Sequence, residues 1–144
     1  ADPIIGTWKL NVAQSNLRPN SAGQAAPKEQ TEVYREIEGD LIEFTLTGTR
    51  TDGATRLTTA TWSRHGGVVK FLQSSQQGYL TGERSCVETR VAPGDWYITY
   101  LQNGNQVATM HKVISKDGKV MRQTIKSTDA QGNPIERVQV FDKQ

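Results

Sequence analysis

Residues 85–142 read SCVETRVAPGDWYITYLQNGNQVATMHKVISKDGKVMRQTIKSTDAQGNPIERVQVFD, and this stretch decides the fold. Four turns punctuate it: Ala92-Pro93-Gly94-Asp95, Asn103-Gly104, Lys116-Asp117-Gly118 and Ala130-Gln131-Gly132. Between them β-branched and aromatic residues alternate with polar ones: Val87, Thr89, Val91, then Trp96, Ile98, Tyr100, then Val107, Thr109, Val113, and last Ile135, Arg137, Phe141. Short strands joined by turns, with no helical pattern between them, predict an antiparallel meander.

Working outward, residues 4–11 (IIGTWKLN) put Ile4, Gly6, Trp8 and Leu10 on one face and Thr7 and Lys9 on the other, which reads as a first strand. Residues 12–29 carry Pro19, Pro27 and a polar run, enough to exclude a long helix. Further strands are expected over 31–37, 41–48, 55–64 and 68–72, with turns at Gly39-Asp40, Thr51-Asp52-Gly53 and His65-Gly66. Residues 73–84 form a second long polar loop. The expectation is about ten strands in one domain over 1–144.

Turn chemistry sets register, and register decides which side chains share a face. Two-residue turns at Gly39-Asp40 and Asn103-Gly104 set Arg35 opposite Phe44 and Trp96 opposite His111. Gly bulges at Gly118 and Gly132 align His111, Gln123 and Gln139 in one row, with Thr109, Ile125 and Arg137 in the next. The same reading sets Phe44 against Ala60, Ile42 against Trp62, and Trp62 against Val69. One face then collects all three Trp and all three Phe, while Glu32, Glu36, Glu43, Lys9, Lys70, Lys112, Glu136, Asp142 and Cys86 fall on the other. A meander with one apolar face and no covering helix must curl to bury it. The predicted architecture is therefore all-β, a single closed antiparallel up-and-down barrel.

Composition narrows function. The 144 residues carry a net charge of +2 with no basic stripe, which argues against nucleic acid. No apolar run is long enough for a transmembrane helix. One cysteine and two separated histidines leave a zinc site without ligands, and no phosphate-binding Gly loop is present. The start at Ala-Asp-Pro suits a mature exported chain, so a periplasmic or secreted location is expected.

The Gly6-Thr7-Trp8-Lys9-Leu10 opening and the Val140-Phe141-Asp142-Lys143 ending resemble intracellular fatty-acid-binding proteins and, more broadly, the calycin superfamily. The GTWKLN opening, the SKDGK turn and the TDAQGNP…DKQ ending resemble small exported bacterial lipocalin-like proteins. The resemblance implies a lipid-binding barrel with a portal at one end. Two positions depart from the fatty-acid-binding pattern. The insertion after the first strand is Pro-rich where those proteins have a helical lid, and their Arg-x-Tyr carboxylate clamp reads Gln139-x-Phe141.

Both long loops fall at one end of a meander, with the turns at Gly53, Gly104 and Gly132, which makes that end the expected mouth. The candidate ligand-binding lining is Trp62, Phe71, Trp96, Tyr100, Thr109, His111, Gln123, Arg137, Gln139 and Phe141. Arg35, Arg56 and Thr58 are expected to project inward from the opposite wall. Aromatics supply contact area, Arg supplies charge, and His and Gln supply direction. Each polar residue also has a plain structural alternative: Arg137 stacking on Trp8, Arg35 and Arg56 pairing with Glu, His111 as a hydrogen-bonded wall residue. The function expected is binding of a small hydrophobic or amphipathic molecule by a monomer or weak dimer, without cofactor or metal. The other reading is a cofactor-independent isomerase, cyclase or lyase with His111 as general acid/base. No Ser or Asp is placed inward near His111, so no catalytic triad is read.

Overall fold

The computed structural model describes residues 2–19, 24–74, 84–129 and 131–144, the side chains of 68–74 and 84 excepted. It is an all-β, antiparallel, up-and-down sheet. The strands are β1 (Gly6–Leu10), β2 (Pro27–Glu36), β3 (Leu41–Arg50), β4 (Thr55–Ser63), β5 (Gly67–Ser74), β6 (Arg84–Ala92), β7 (Asp95–Gln102), β8 (Asn105–Ile114), β9 (Val120–Thr128) and β10 (Pro134–Lys143). The order is β1-β10-β9-β8-β7-β6-β5-β4-β3-β2, and β1 pairs with β2 through Trp8↔Glu32 and with β10 through Trp8↔Lys143. A sheet that curls this far buries one face without a helix. Trp8, Trp62, Trp96, Phe141, Ile42 and Met121 are all buried there.

The long connection after β1 is held down where it is described. Asn11 caps a 3-10 turn at Val12–Gln14, accepting from the Gln14 N–H. The Asn16 N–H then bonds to the Val138 carbonyl at 2.8 Å, anchoring the segment on β10. The second long loop, 73–84, lies almost wholly outside the described residues.

Several registers agree with turn chemistry. Ile42 faces Trp62, Phe44 faces Ala60, Gln123 faces Gln139, and Arg137 faces Ile125. Three places differ by one residue, and each difference turns a strand over. The β2–β3 connection is a three-residue loop closed by Ile37 N–H to Leu41 carbonyl, with Gly39 at φ 69°, so Tyr34 faces Phe44 and Arg35 faces Glu43. Between β6 and β7 the register shifts at Arg90/Ala92, which sends Cys86, Glu88 and Arg90 inward and leaves Val87 and Val91 exposed. Cys86 is therefore a core residue and not an outer one.

The third difference is the most consequential. Asn103-Gly104 does form a two-residue turn with both residues at positive φ, and Leu101 faces Gln106 as that turn requires. A bulge at Val107 follows, after which Tyr100 faces Ala108, Trp96 faces Lys112 and Tyr97 faces His111. The β8–β9 turn is also one residue longer than its sequence suggests, closing with Ser115 N–H on the Val120 carbonyl. The two shifts cancel at β9, so β9 and β10 keep the expected faces while β8 is reversed.

Candidate functional site: a buried polar network inside the curled sheet

Reversing β2 and β8 places two charged residues in the interior. Lys112 and Glu32, both expected outside, are 6% and 3% exposed. They are joined through Tyr34: its hydroxyl donates to Glu32 Oε1 at 2.6 Å and accepts from Lys112 Nζ at 3.1 Å. Gln123 Nε2 donates to the same Oε1 at 3.0 Å, and Gln30 Nε2 donates to Oε2 at 2.9 Å. Gln30 in turn accepts from Arg56 Nη1 at 3.1 Å. Glu32 thus receives three donors drawn from two strands, β2 and β9. A buried acceptor is stable only when its lone pairs are met in this way.

Aromatic rings pack beside the network. Trp62 stands edge-on to Tyr34 and to Trp96, each at 6.2 Å, and Phe44 lies 5.1 Å from Tyr34. Burial, reinforced by the Glu32 charge, holds the Tyr34 hydroxyl proton well above the ordinary phenol range. Glu88, 8% exposed on β6, has its carboxyl pKa raised by burial, with the Lys112 charge opposing that rise. On the β6–β9 wall the row Glu88-Ile98-Met110-Ile125 carries one charged residue, and the row Cys86-Tyr100-Ala108, nearer the Asn103-Gly104 turn, is mostly apolar. Polarity is therefore concentrated deeper, around Glu88, Trp96, Lys112 and Gln123.

The residues expected from sequence divide as follows. Trp62, Trp96, Gln123, Gln139 and Phe141 are buried in the interior. Tyr100 is half-buried on the inner face, its hydroxyl 3.8 Å from Met110 Sδ. Arg137 is half-buried opposite Ile125, and Lys143 Nζ lies 5.4 Å from the centre of the Trp8 ring. Phe71 lies on β5 opposite Ala60, and its side chain is outside the described residues. Thr58 is buried on the inner face, as expected.

His111, Thr109 and Arg35 are corrected. His111 is on the outer face, stacked on Tyr97 at 4.1 Å with its Nε2 2.8 Å from Asp95 Oδ1. Thr109 follows the same outer register, opposite Thr99 and Lys126. Arg35 is exposed and paired with Glu43 at 2.8 Å. Glu32, Tyr34, Glu88 and Lys112 were missed because each sits on a strand whose register turned by one residue. The one available signal was Tyr34 beside Val33: either residue could have marked the apolar face.

Toward the mouth, β8 and β9 part. Their register pairs end at Thr109↔Lys126, and beyond them a cleft of about 580 Å³ opens, lined by residues 106–109 and 126–128. Among the described residues no cluster of His, Cys, Asp and Glu could hold a metal ion, and no helix is long and apolar enough to cross a membrane.

No family model and no curated protein sequence matches the chain. Among solved structures, the crystal structure of Rv2717c from M. tuberculosis is similar over 99% of this chain and 93% of that one, with a TM-score of 0.63 at 13% identity. A redesigned β-barrel, mFAP1, bound to DFHBI, covers 99% of this chain and 95% of its own at 12% identity, with a TM-score of 0.43. The likeness to Rv2717c is one of fold alone.

Proposed function

We propose that the chain is a lipocalin-like binder, a carrier or sensor that holds a small hydrophobic or amphipathic molecule inside a closed ten-strand wall. The observation that carries this reading is the buried Lys112–Tyr34–Glu32–Gln123 network beside Trp62 and Trp96. An all-apolar interior would serve stability as well or better, since buried charges cost several kcal/mol to desolvate. A polar cluster at depth with an apolar row above it suits a ligand that enters polar end first. The β8–β9 cleft lies at the Asn103-Gly104 end of the same wall. Electrospray mass spectrometry under native conditions, with extraction of any retained small molecule, tests the reading. A retained apolar compound, or saturable one-to-one uptake of an apolar fluorescent probe, supports it. Uptake that is unsaturable, or equal in the unfolded chain, overturns it.

A second reading has one observation behind it. A tyrosine hydroxyl held between an ammonium and a carboxyl is acid/base equipment, so an isomerase, cyclase or lyase would use Tyr34, Lys112 and Glu32 and not His111. Turnover abolished by Tyr34→Phe with ligand affinity retained would favour it.

A further inference from the structure

Glu88 Oε2 and Trp96 Nε1 are fully enclosed in the interior, and neither makes a hydrogen bond among the described residues. Both residues are more than nine-tenths buried. They sit on neighbouring strands, Glu88 opposite Ile98 and Trp96 opposite Arg90, so they are diagonal neighbours on the inner face. Diagonal positions of a ladder lie roughly 7–8 Å apart, within reach of long and aromatic side chains. Buried polar atoms left without partners are rare in folded chains, and a bound molecule is one way to satisfy them.

We propose that Glu88 and Trp96 form the polar end of the interior site and accept a neutral carbonyl head group, a primary amide or lactam, in preference to a carboxylate. The inference rests on the reading that the interior takes a ligand. The indole N–H can only donate. Glu88 feels the Lys112 charge from β8, acts in turn on Tyr34 of β2, shares its strand with Arg90, and has Ile98 opposite it on β7. Lys112 is already committed to the Tyr34 hydroxyl, and Arg90 to Asp2 at 3.4 Å. Burial raises the Glu88 carboxyl pKa above its ordinary range, and the Lys112 charge opposes that rise. The carboxyl oxygen accepts and the indole N–H donates. An amide complements that pair, its carbonyl accepting from the indole and its N–H donating to Glu88. A carboxylate has no donor to give and would set a second acidic group against Glu88. The Cys86-Tyr100-Ala108 row above places the body of the ligand toward the Asn103-Gly104 end.

Isothermal titration of three matched probes tests this: 1-naphthylacetamide, 1-naphthylacetate and 1-methylnaphthalene, each at neutral pH. The amide should bind about tenfold or more tighter than the carboxylate. Glu88→Gln should hold the amide within about threefold, because the isostere keeps the acceptor oxygen. Glu88→Leu should weaken the amide about tenfold and leave 1-methylnaphthalene unchanged, and Trp96→Phe should weaken the amide alone by a smaller factor. Thermal melts establish that each variant is folded. Equal binding of amide and carboxylate, or amide binding indifferent to both Glu88→Leu and Trp96→Phe, overturns the head-group inference while 1-methylnaphthalene binding keeps the interior site. Failure of all three probes removes the inference together with the reading beneath it.

Discussion

Lys112→Met separates the two possible faces of β8. Met keeps the length and volume of the lysine stem, so packing against the Tyr34 ring, 5.1 Å from Nζ, is largely retained. What is lost is the ammonium. The hydrogen bond from Nζ to the Tyr34 hydroxyl involves a charged donor at a site 6% exposed, and such bonds contribute about 1.5–3 kcal/mol. Glu32 also loses the ammonium linked to it through the Tyr34 hydroxyl, and removing one charge from a buried charged network costs up to about 3–5 kcal/mol in all. Release of the desolvation cost of the ammonium offsets part of this, leaving an expected loss of about 3 kcal/mol. Urea unfolding followed by Trp fluorescence reads it directly, and Lys9→Met, exposed on β1, is the control at under about 0.5 kcal/mol. Glu32→Gln in the Lys112→Met background should cost less than in the parent, because the two act through one hydroxyl. A Lys112→Met loss under about 0.5 kcal/mol would put Lys112 in solvent and His111 inside, and would refute the network.

Other outcomes follow from the same geometry. His111→Ala removes an outer-face contact with Asp95 and Tyr97, so it should cost at most about 1 kcal/mol in urea and leave apolar-probe affinity unchanged. Trp8→Ala empties a fully buried site and removes the indole bond to the Ile4 carbonyl at 2.8 Å, for an expected loss of about 3–5 kcal/mol in the same assay. Glu88 has its carboxyl pKa raised by burial, so the folded chain holds that proton to higher pH than the unfolded chain. Its contribution to stability is whole below the ordinary carboxyl range and is lost as pH rises through the raised value. Glu88→Gln escapes that loss, and its stability advantage over the parent should grow between about pH 4 and pH 7 in paired thermal melts. A constant difference across that range would mean that Glu88 titrates normally.

The sequence by itself determined the local part of this protein. Period-two alternation and the turns at Gly39, Asn103-Gly104 and Gly118 mark the strands and their antiparallel order, because strand and turn preferences are set by a residue and its immediate neighbours. Where a strand has a single apolar face, as β9 does with Met121, Gln123 and Ile125, the inward residues were legible too. Tertiary structure decided β2, β6 and β8. On β8, Val107 and Val113 compete with Ala108, Met110 and Ile114 for the interior, so alternation alone does not choose. A single bulge at Val107 reverses every later side chain of β8, and no residue type announces it. What favours the observed face is nonlocal. Lys112, Glu32 and Gln123 lie on three strands and are costly to bury one at a time, and they become compatible only when the curled sheet brings them to one hydroxyl and one carboxyl.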